Sequence, residues 1–385
     1  MMSNLLQELI AEILIRLPVK SVVRFLCVSK EWYALITSSY FIKMHLKFSI
    51  ETNRDRTLIL NEEDFAPASH YFSAVQFSSK HNRFGKTVEI YQPLLNWVVS
   101  DYCDGLVCLH KGHEKQDVAI WNPLVRKYRR FPFEPIEEPS GLSDVRFSHL
   151  AFGYDPHNDD YKVLRVIEFY MEDMIGMEFE VKVCSMRSPT WKKIDEQWPN
   201  MVICCWKSVA LNGDVYWLVA DRDGQHRMSL LAFNLATEKF RLYGTPVPLE
   251  NYLSTFLDVL GGLLCCIVHD YTFCDVYLMK KYGVESSWTR SFKIEKNVLC
   301  RDFEYFRTLM FSTNGKKVLL EEHPECGRTN LIWYDIEKKR CYRVKNRSFP
   351  YVFKVAICIG SLLLLDGDNV IDPTQKENKR KRKRN

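Results

Sequence analysis

Ile120-Trp121-Asn122-Pro123, followed two residues later by Arg126-Lys127-Tyr128-Arg129, is the stretch on which the fold turns. An apolar run stops at an Asn, a short polar turn follows, and the chain resumes with basic and aromatic residues. The same order returns as Ala232-Phe233-Asn234-Leu235 with Glu238-Lys239-Phe240-Arg241, and as Trp333-Tyr334-Asp335-Ile336 with Lys339-Arg340-Cys341-Tyr342-Arg343. Looser copies run from Cys184-Ser185-Met186 to Trp191-Lys192-Lys193 and from Tyr277-Leu278-Met279 to Trp288-Thr289. With anchors at 122, 185, 234, 279 and 335, the intervals are 63, 49, 45 and 56 residues, near the ~50 of one four-stranded blade in a radially repeated β fold. Radial repetition is one way a large antiparallel protein avoids long exposed edges. The uneven intervals leave five or six blades open.

Outward from these anchors, residues from Leu58 to about Asp366 keep the same character, with short apolar-aromatic runs broken by Gly, Asn, Asp and Pro. This spacing predicts strands at 106–109, 118–121, 149–154, 161–166, 181–185, 215–219, 230–233, 263–268, 275–279, 318–320 and 331–334. Asp155-Pro156-His157-Asn158-Asp159-Asp160 is a dense group of turn formers and reads as a hairpin loop. The 13% aromatic share of the 385 residues also suits half-buried pleated surfaces. Trp121, Trp217, Trp288 and Trp333 lie in or beside apolar strands and read as blade core.

The first 46 residues obey a different period. Leu6, Leu9, Ile10, Ile13, Leu14 and Leu17 mark one helical stripe that Pro18 stops. Ser21, Ser29 and Ser38 or Ser39 are placed to cap three further short helices. A module this small leaves much apolar surface uncovered, so it reads as built to dock. Its residues, Leu5-x-x-Glu8-Leu9-Ile10-x-x-Ile13-Leu14-x-Arg16-Leu17-Pro18-Val19-Lys20-Ser21 and then Arg24-Phe25-x-Cys27-Val28-Ser29-Lys30-x-Trp32, resemble the plant form of the F-box. The chain departs from that pattern at Leu5-Leu6, where most F-boxes begin Leu-Pro. A Pro at the first helical position pre-sets φ, and Leu6 would stand in its place.

The β region resembles the F-box-associated domain of plant F-box/kelch-repeat proteins. The matching words are Cys103-Asp104-Gly105-Leu106-Val107-Cys108, Trp121-Asn122-Pro123, Phe152-Gly153-Tyr154-Asp155, Asp160-Tyr161-Lys162-Val163, Ala210-Leu211-Asn212-Gly213, Gly261-Gly262-Leu263-Leu264-Cys265, Met279-Lys280-Lys281-Tyr282-Gly283 and Trp333-Tyr334-Asp335. The expected fold class is therefore α+β and multidomain: a helical F-box at 1–46, a linker with first strands at 47–102, a mainly antiparallel, kelch-type propeller-like domain at 103–372, and a basic disordered tail at 373–385.

The resemblance implies a non-catalytic substrate receptor of a ubiquitin ligase. Its F-box would bind a Skp-family adaptor through Leu5, Leu6, Ile10, Ile13, Leu14, Leu17, Pro18, Val28 and Trp32, and through it reach cullin and RING subunits. Substrate would be bound by loops at Glu134–Asp144, Asp221–Arg227, His269–Asp275 and Glu322–Asn330. S-locus ribonucleases and immune receptors are both compatible substrate classes within the family. The rivals are a kelch-propeller enzyme and a glycan-binding propeller working without ubiquitin.

Charge and chemistry narrow the alternatives. Net charge is +5, but Lys376 to Asn385 alone carry +6, residues 1–46 carry +2, and residues 47–375 carry −3. A nucleic-acid-sized basic field is therefore not expected outside the tail. Lys379-Arg380-Lys381-Arg382-Lys383-Arg384 reads as a nuclear-import signal, an RNA or anionic-membrane patch, or a solvated end. The longest apolar stretch, Val355 to Leu365, is 11 residues with Gly360 inside it, short of the roughly 20 a membrane helix needs. Gln7, Glu8 and Glu12 break any secretory leader, so a reducing cytoplasmic or nuclear setting is expected. The 13 cysteines are odd in number, form no C-x-x-C, and often sit in apolar runs such as Cys204-Cys205 and Cys265-Cys266. Cys103, Cys108, His110 and His113 fall within eleven residues, yet Cys108 belongs to an apolar strand and the spacing is poor for structural zinc. No metal site, cofactor or catalytic group is expected, since phosphate-loop, H-E-x-x-H and G-x-S-x-G patterns are missing from the sequence.

Overall fold

The computed structural model describes residues 2–52, 56–62, 72–78, 83–91, 93–94, 97–112, 115–137, 142–171, 177–204, 207–222, 227–248, 252–298, 303–324 and 327–369; side chains of 2–6, 142–144, 170–171, 177 and 303–304 are outside the description. Among these residues, four helices precede six antiparallel sheets.

The helices are α1 (Met2–Leu14), α2 (Val19–Phe25), α3 (Lys30–Thr37) and α4 (Ser39–Thr52). After Leu14 the chain tightens, Arg16 and Leu17 donating to the carbonyls of Ile13 and Leu14 at 3.1 Å. Pro18, which lacks an N–H, then closes the run. Two expectations need correction. Pro18 and not Ser21 stands at the N-cap of α2, because Ser21 already donates its N–H to the Pro18 carbonyl as part of the helix. Leu6 lies inside α1, four residues after its start, so it does not occupy the first helical position. The other two caps form: Ser29 Oγ accepts from the Trp32 N–H and Ser38 Oγ from the Phe41 N–H, each at 3.2 Å.

The chain divides into two compact units. The first holds the helices, residues 57–110, 119–130 and the C-terminal segment from 348. In it, the late strand Phe353–Cys358 pairs with Thr57–Glu62, which continues through Phe72–Ser78 to Arg83–Ile90 and completes sheet I. Sheet II runs Val98–Cys103, Leu106–Lys111, Asp117–Asn122, Lys127–Arg130, and takes Asp368–Asn369 on its outer edge. Ile59, Trp97, Val107, Trp121 and Ala356 form the core between these two sheets.

The second unit contains sheets III to VI. Sheet III is Leu142–Asp155, Asp160–Met171, Met177–Ser185 and Trp191–Lys193; sheet IV joins Met201–Ile203 and Val209–Leu211 to Asp214–Asp221, Met228–Asn234 and Lys239–Tyr243. Sheet V is Ser254–Leu260, Leu263–His269, Phe273–Met279 and Trp288–Glu295; sheet VI is Phe303–Phe311, Lys317–Pro324, Asn330–Asp335 and Arg340–Arg343. Each predicted strand lies in one of these sheets. Side chains alternate between two cores. Val215, Trp217 and Val219 enter the cluster shared with sheet III, while Tyr216 and Leu218 enter the one shared with sheet V.

All five repeat anchors end the third strand along a sheet's hydrogen-bonded path, Val209–Leu211 lying off that path in sheet IV, and the basic-aromatic words that follow are the fourth strands. Asn122 Oδ1 accepts from the N–H groups of Leu124 and Val125, Asn234 Oδ1 from Ala236 and Thr237, and Asp335 Oδ1 from Lys338. Four residues after each anchor, Arg126, Glu238 and Lys339 take φ of 57°, 56° and 53°. A short side-chain acceptor satisfies the turn's donors, which is why Asn or Asp recurs there. Asp155 does the same for the predicted 155–160 loop, accepting from His157 and Asn158.

Candidate functional site

The helical module has a packed face and an uncovered one. Leu14, Ile15, Val19, Val22, Ile36 and Phe41 are buried, and around them lie Leu124, Val125, Leu362 and Leu365 from sheet II and the C-terminal segment. Asn122, fully buried, joins those two segments: its Nδ2 donates to the carbonyls of Ser361 and Leu363 at 3.0 and 2.9 Å while its Oδ1 holds the 124–125 turn. His45 Nε2 donates to the Leu17 carbonyl at 2.9 Å and ties α4 to the end of α1. Part of the docking surface expected of a small module is thus used within the chain.

On the uncovered side, Leu9 is 55% exposed, Ile13 61% and Val28 56%. Leu9 and Ile13 are one turn apart and share a stripe. Pro18 is exposed, and Ile10, Leu17 and Trp32 are half-buried, the Trp32 ring set edge-on to Phe25 at 5.4 Å. Leu14 is 1% exposed, so among the expected adaptor residues it is a core residue of the module itself. The side chains of Leu5 and Leu6 lie outside the described residues. Leu9, placed on the helical stripe by the sequence but not among the expected adaptor residues, is exposed beside Ile13, its i+4 neighbour. Exposed apolar side chains on a rigid, capped helical frame can supply anchor contacts to a partner.

The four expected substrate segments fare differently. Glu134 and Glu137 accept from Lys182 Nζ at 2.6 and 2.8 Å, and Arg165, fully buried, donates to the carbonyls of Glu134 and Pro135 and to Glu180 Oε1. That strap is clamped to sheet III. Burial by itself would lower the Lys182 pKa, but its bonds to Glu134 and Glu137 outweigh it and hold the ammonium charged. Residues 138–141 lie outside the description, and the segment's end, from Leu142, is strand. Asp221 ends its strand and pairs with Arg227 at 3.3 Å, with 223–226 outside the described residues. His269 and Glu322 are corrected from loop to strand: both are buried, His269 closing Leu263–His269 and Glu322 lying within Lys317–Pro324. Burial on both faces of these strands extended them past the turn signals. The first loop shrinks to 270–272; in the second, 325–326 lie outside the described residues and 327–329 precede the next strand.

Cys108 is buried in its strand, His113 lies outside the described residues, and among the described residues no His, Cys, Asp and Glu group could hold a metal. Cys274 Sγ and His269 Nδ1 approach to 3.3 Å. Burial pushes the thiol up to about 12 and the imidazole down to about 3, so neither carries charge at neutral pH. The ten described cysteines form no disulfide with one another. Trp121, Trp217 and Trp333 are buried and Trp288 half-buried, as blade core requires. No described helix is long and apolar enough to cross a membrane.

Comparison with known proteins adds to this geometry. Residues 2–44 match the F-box domain, and residues 46–359 match the F-box associated beta propeller domain. The F-box protein CPR1 of Arabidopsis thaliana is 28% identical over 384 residues, covering 94% of this chain and 89% of its own. The Arabidopsis F-box/kelch-repeat protein At3g23880 is 28% identical over 359 residues, covering 89% and 91%. The six sheets are the blades of that propeller domain, the helices its F-box, and the chain belongs to the plant F-box proteins that carry an F-box-associated β-propeller.

Proposed function

We propose that this protein is the substrate-recognition subunit of an SCF-type ubiquitin ligase, non-catalytic itself. Its F-box binds a Skp-family adaptor, which links it to cullin and RING subunits, and its β domain binds a protein destined for ubiquitination and the proteasome. The observation that carries this reading is the exposed apolar pair Leu9 and Ile13 on one stripe of the first helix, with Val28 exposed as well, on a module whose core is already packed. Full-length chain co-expressed with a plant Skp-family adaptor should co-purify with it as a stoichiometric complex. Failure to do so, with the chain folded by circular dichroism, would remove the reading.

The setting proposed is cytoplasm, nucleus or both, the nuclear part resting on the seven cations among residues 376–385. A fluorescent fusion lacking those residues should lose nuclear signal; an unchanged distribution would leave the tail a solvated end.

A further inference from the structure

A cleft of about 570 Å³ lies in the second unit, between the third strand of sheet III and the 194–200 segment that leads to sheet IV. Its floor is aromatic and fixed. Phe179 stacks on Trp198 with centroids 4.7 Å apart and planes 14° from parallel. Trp198 meets the buried Trp217 edge-on at 6.0 Å and Phe240 at 5.2 Å, and its Nε1 donates to the Met201 carbonyl at 3.1 Å. Its polar group is satisfied and its ring packs on core rings, which fixes the Trp198 orientation. The floor already accepts a cation: the Arg222 guanidinium lies 5.4 Å over the Phe179 ring.

The rim supplies the opposite charge. Glu178, Asp195 and Glu196 line the cleft and are exposed. Two cations line the cleft as well, Arg222 over Phe179 and Lys193, which pairs with Glu137 at 3.4 Å, so carboxylates outnumber cations three to two. A concave aromatic floor whose lining carries more carboxylates than cations is complementary to a cationic side chain carried on an extended chain. The cation meets the carboxylates and its aliphatic stem covers the rings.

We infer that this cleft is a substrate-docking site that takes an extended protein segment presenting Lys or Arg next to an apolar residue. The inference rests on the receptor reading above and narrows its substrate class to a basic segment. Residues 47–375 as a whole carry only −3, so selectivity for that segment is local to the cleft and not a property of the general field.

The test uses full-length protein purified with its adaptor and a fluorescein-labelled (Arg-Leu-Gly)4 peptide, with (Glu-Leu-Gly)4 as control, read by polarisation. The arginine peptide should bind at least about tenfold more tightly than the control, and more weakly as salt rises. The double reversal Glu178→Lys/Glu196→Lys should weaken it at least about tenfold with melting temperature and adaptor co-purification unchanged, because both side chains are exposed. Equal binding of the two peptides, or indifference to the double reversal, would overturn the inference. So would arginine-peptide binding that emerges only after deletion of Lys376–Asn385, since the cleft's occupant would then be this chain's own tail. Loss of the adaptor from the wild-type complex bears on the receptor reading alone. An intact complex that ignores the peptide bears on the cleft alone.

Discussion

Ile13 and Leu14 are neighbours in sequence with opposite surroundings, 61% and 1% exposed. Substituting them should separate docking from folding. Ile13→Asp places a carboxylate where water already reaches, so the melting temperature should barely move, the stability cost staying within about 1 kcal/mol. Adaptor affinity should fall by at least about tenfold, because an apolar anchor would become a charge that docking must bury. Leu14→Ala empties a site inside the module and should cost about 2–5 kcal/mol, with adaptor binding lost only as far as the helices unfold. Calorimetry beside a two-component binding assay checks both. A folded Leu14→Ala protein that has lost its adaptor would return Leu14 to the interface. At this scale the sequence could show that positions 9, 10, 13 and 14 were apolar. It could not show which side would meet Leu124, Val125, Leu362 and Leu365, because those partners lie more than a hundred residues away.

Hairpins carry the blades, and they differ in how much room their turns leave. Asp104-Gly105 joins the first two strands of sheet II with φ of 49° and 81°, and Gly261-Gly262 does so in sheet V with 63° and 77°. Both pairs suit the two-residue turns that match strand twist. A Cβ at Gly105 would lie 2.3 Å from the Ile359 carbonyl oxygen and 2.9 Å from Ser361 Cβ, whereas one at Gly262 would meet nothing within 4 Å. Gly262→Ala should therefore cost the left-handed penalty alone, about 1–2 kcal/mol. Gly105→Ala adds a backbone clash and should exceed it, at roughly 3 kcal/mol or more. Equal urea midpoints for the two variants would contradict that difference. The elements themselves were largely legible, since an Asn, Asp or Ser acceptor marks the third strand's end in four of the sheets. Sheet I escaped the repeat because it is assembled from 57–62, 72–78, 83–90 and the distant 353–358, so its four strands are not consecutive in the chain.

Across the whole molecule, strands covered on both faces explain why the β region reads as apolar runs and not as strict alternation. The same double covering takes ionisable groups out of water, and this sets how the fold responds to acid. Burial, with Lys115 nearby, lowers His149 to about 4, and burial, with Lys296 nearby, lowers His269 to about 3. Both imidazoles are therefore neutral in the native protein at pH values where they are protonated in the unfolded chain. Below their ordinary value near 6.5 the unfolded state binds more protons, so stability falls as pH falls, by up to ~1.4 kcal/mol per pH unit for each group. The loss ends only when the native imidazoles also protonate. Asp258 prolongs it: burial would raise its carboxyl, but Lys207 and Arg307 outweigh that and hold it low, so its contribution persists at neutral pH and disappears only in stronger acid. Glu168 acts in the opposite direction, because burial raises it despite Arg146, and the protonated form it favours eases folding as pH drops. Two histidines against one carboxyl leave the net slope positive. Urea unfolding free energy should therefore decline from pH 7 to pH 4.5, and His149→Gln/His269→Gln should flatten that decline whatever it does to the absolute stability. A slope equal to that of the unsubstituted protein would mean that other groups govern the acid response.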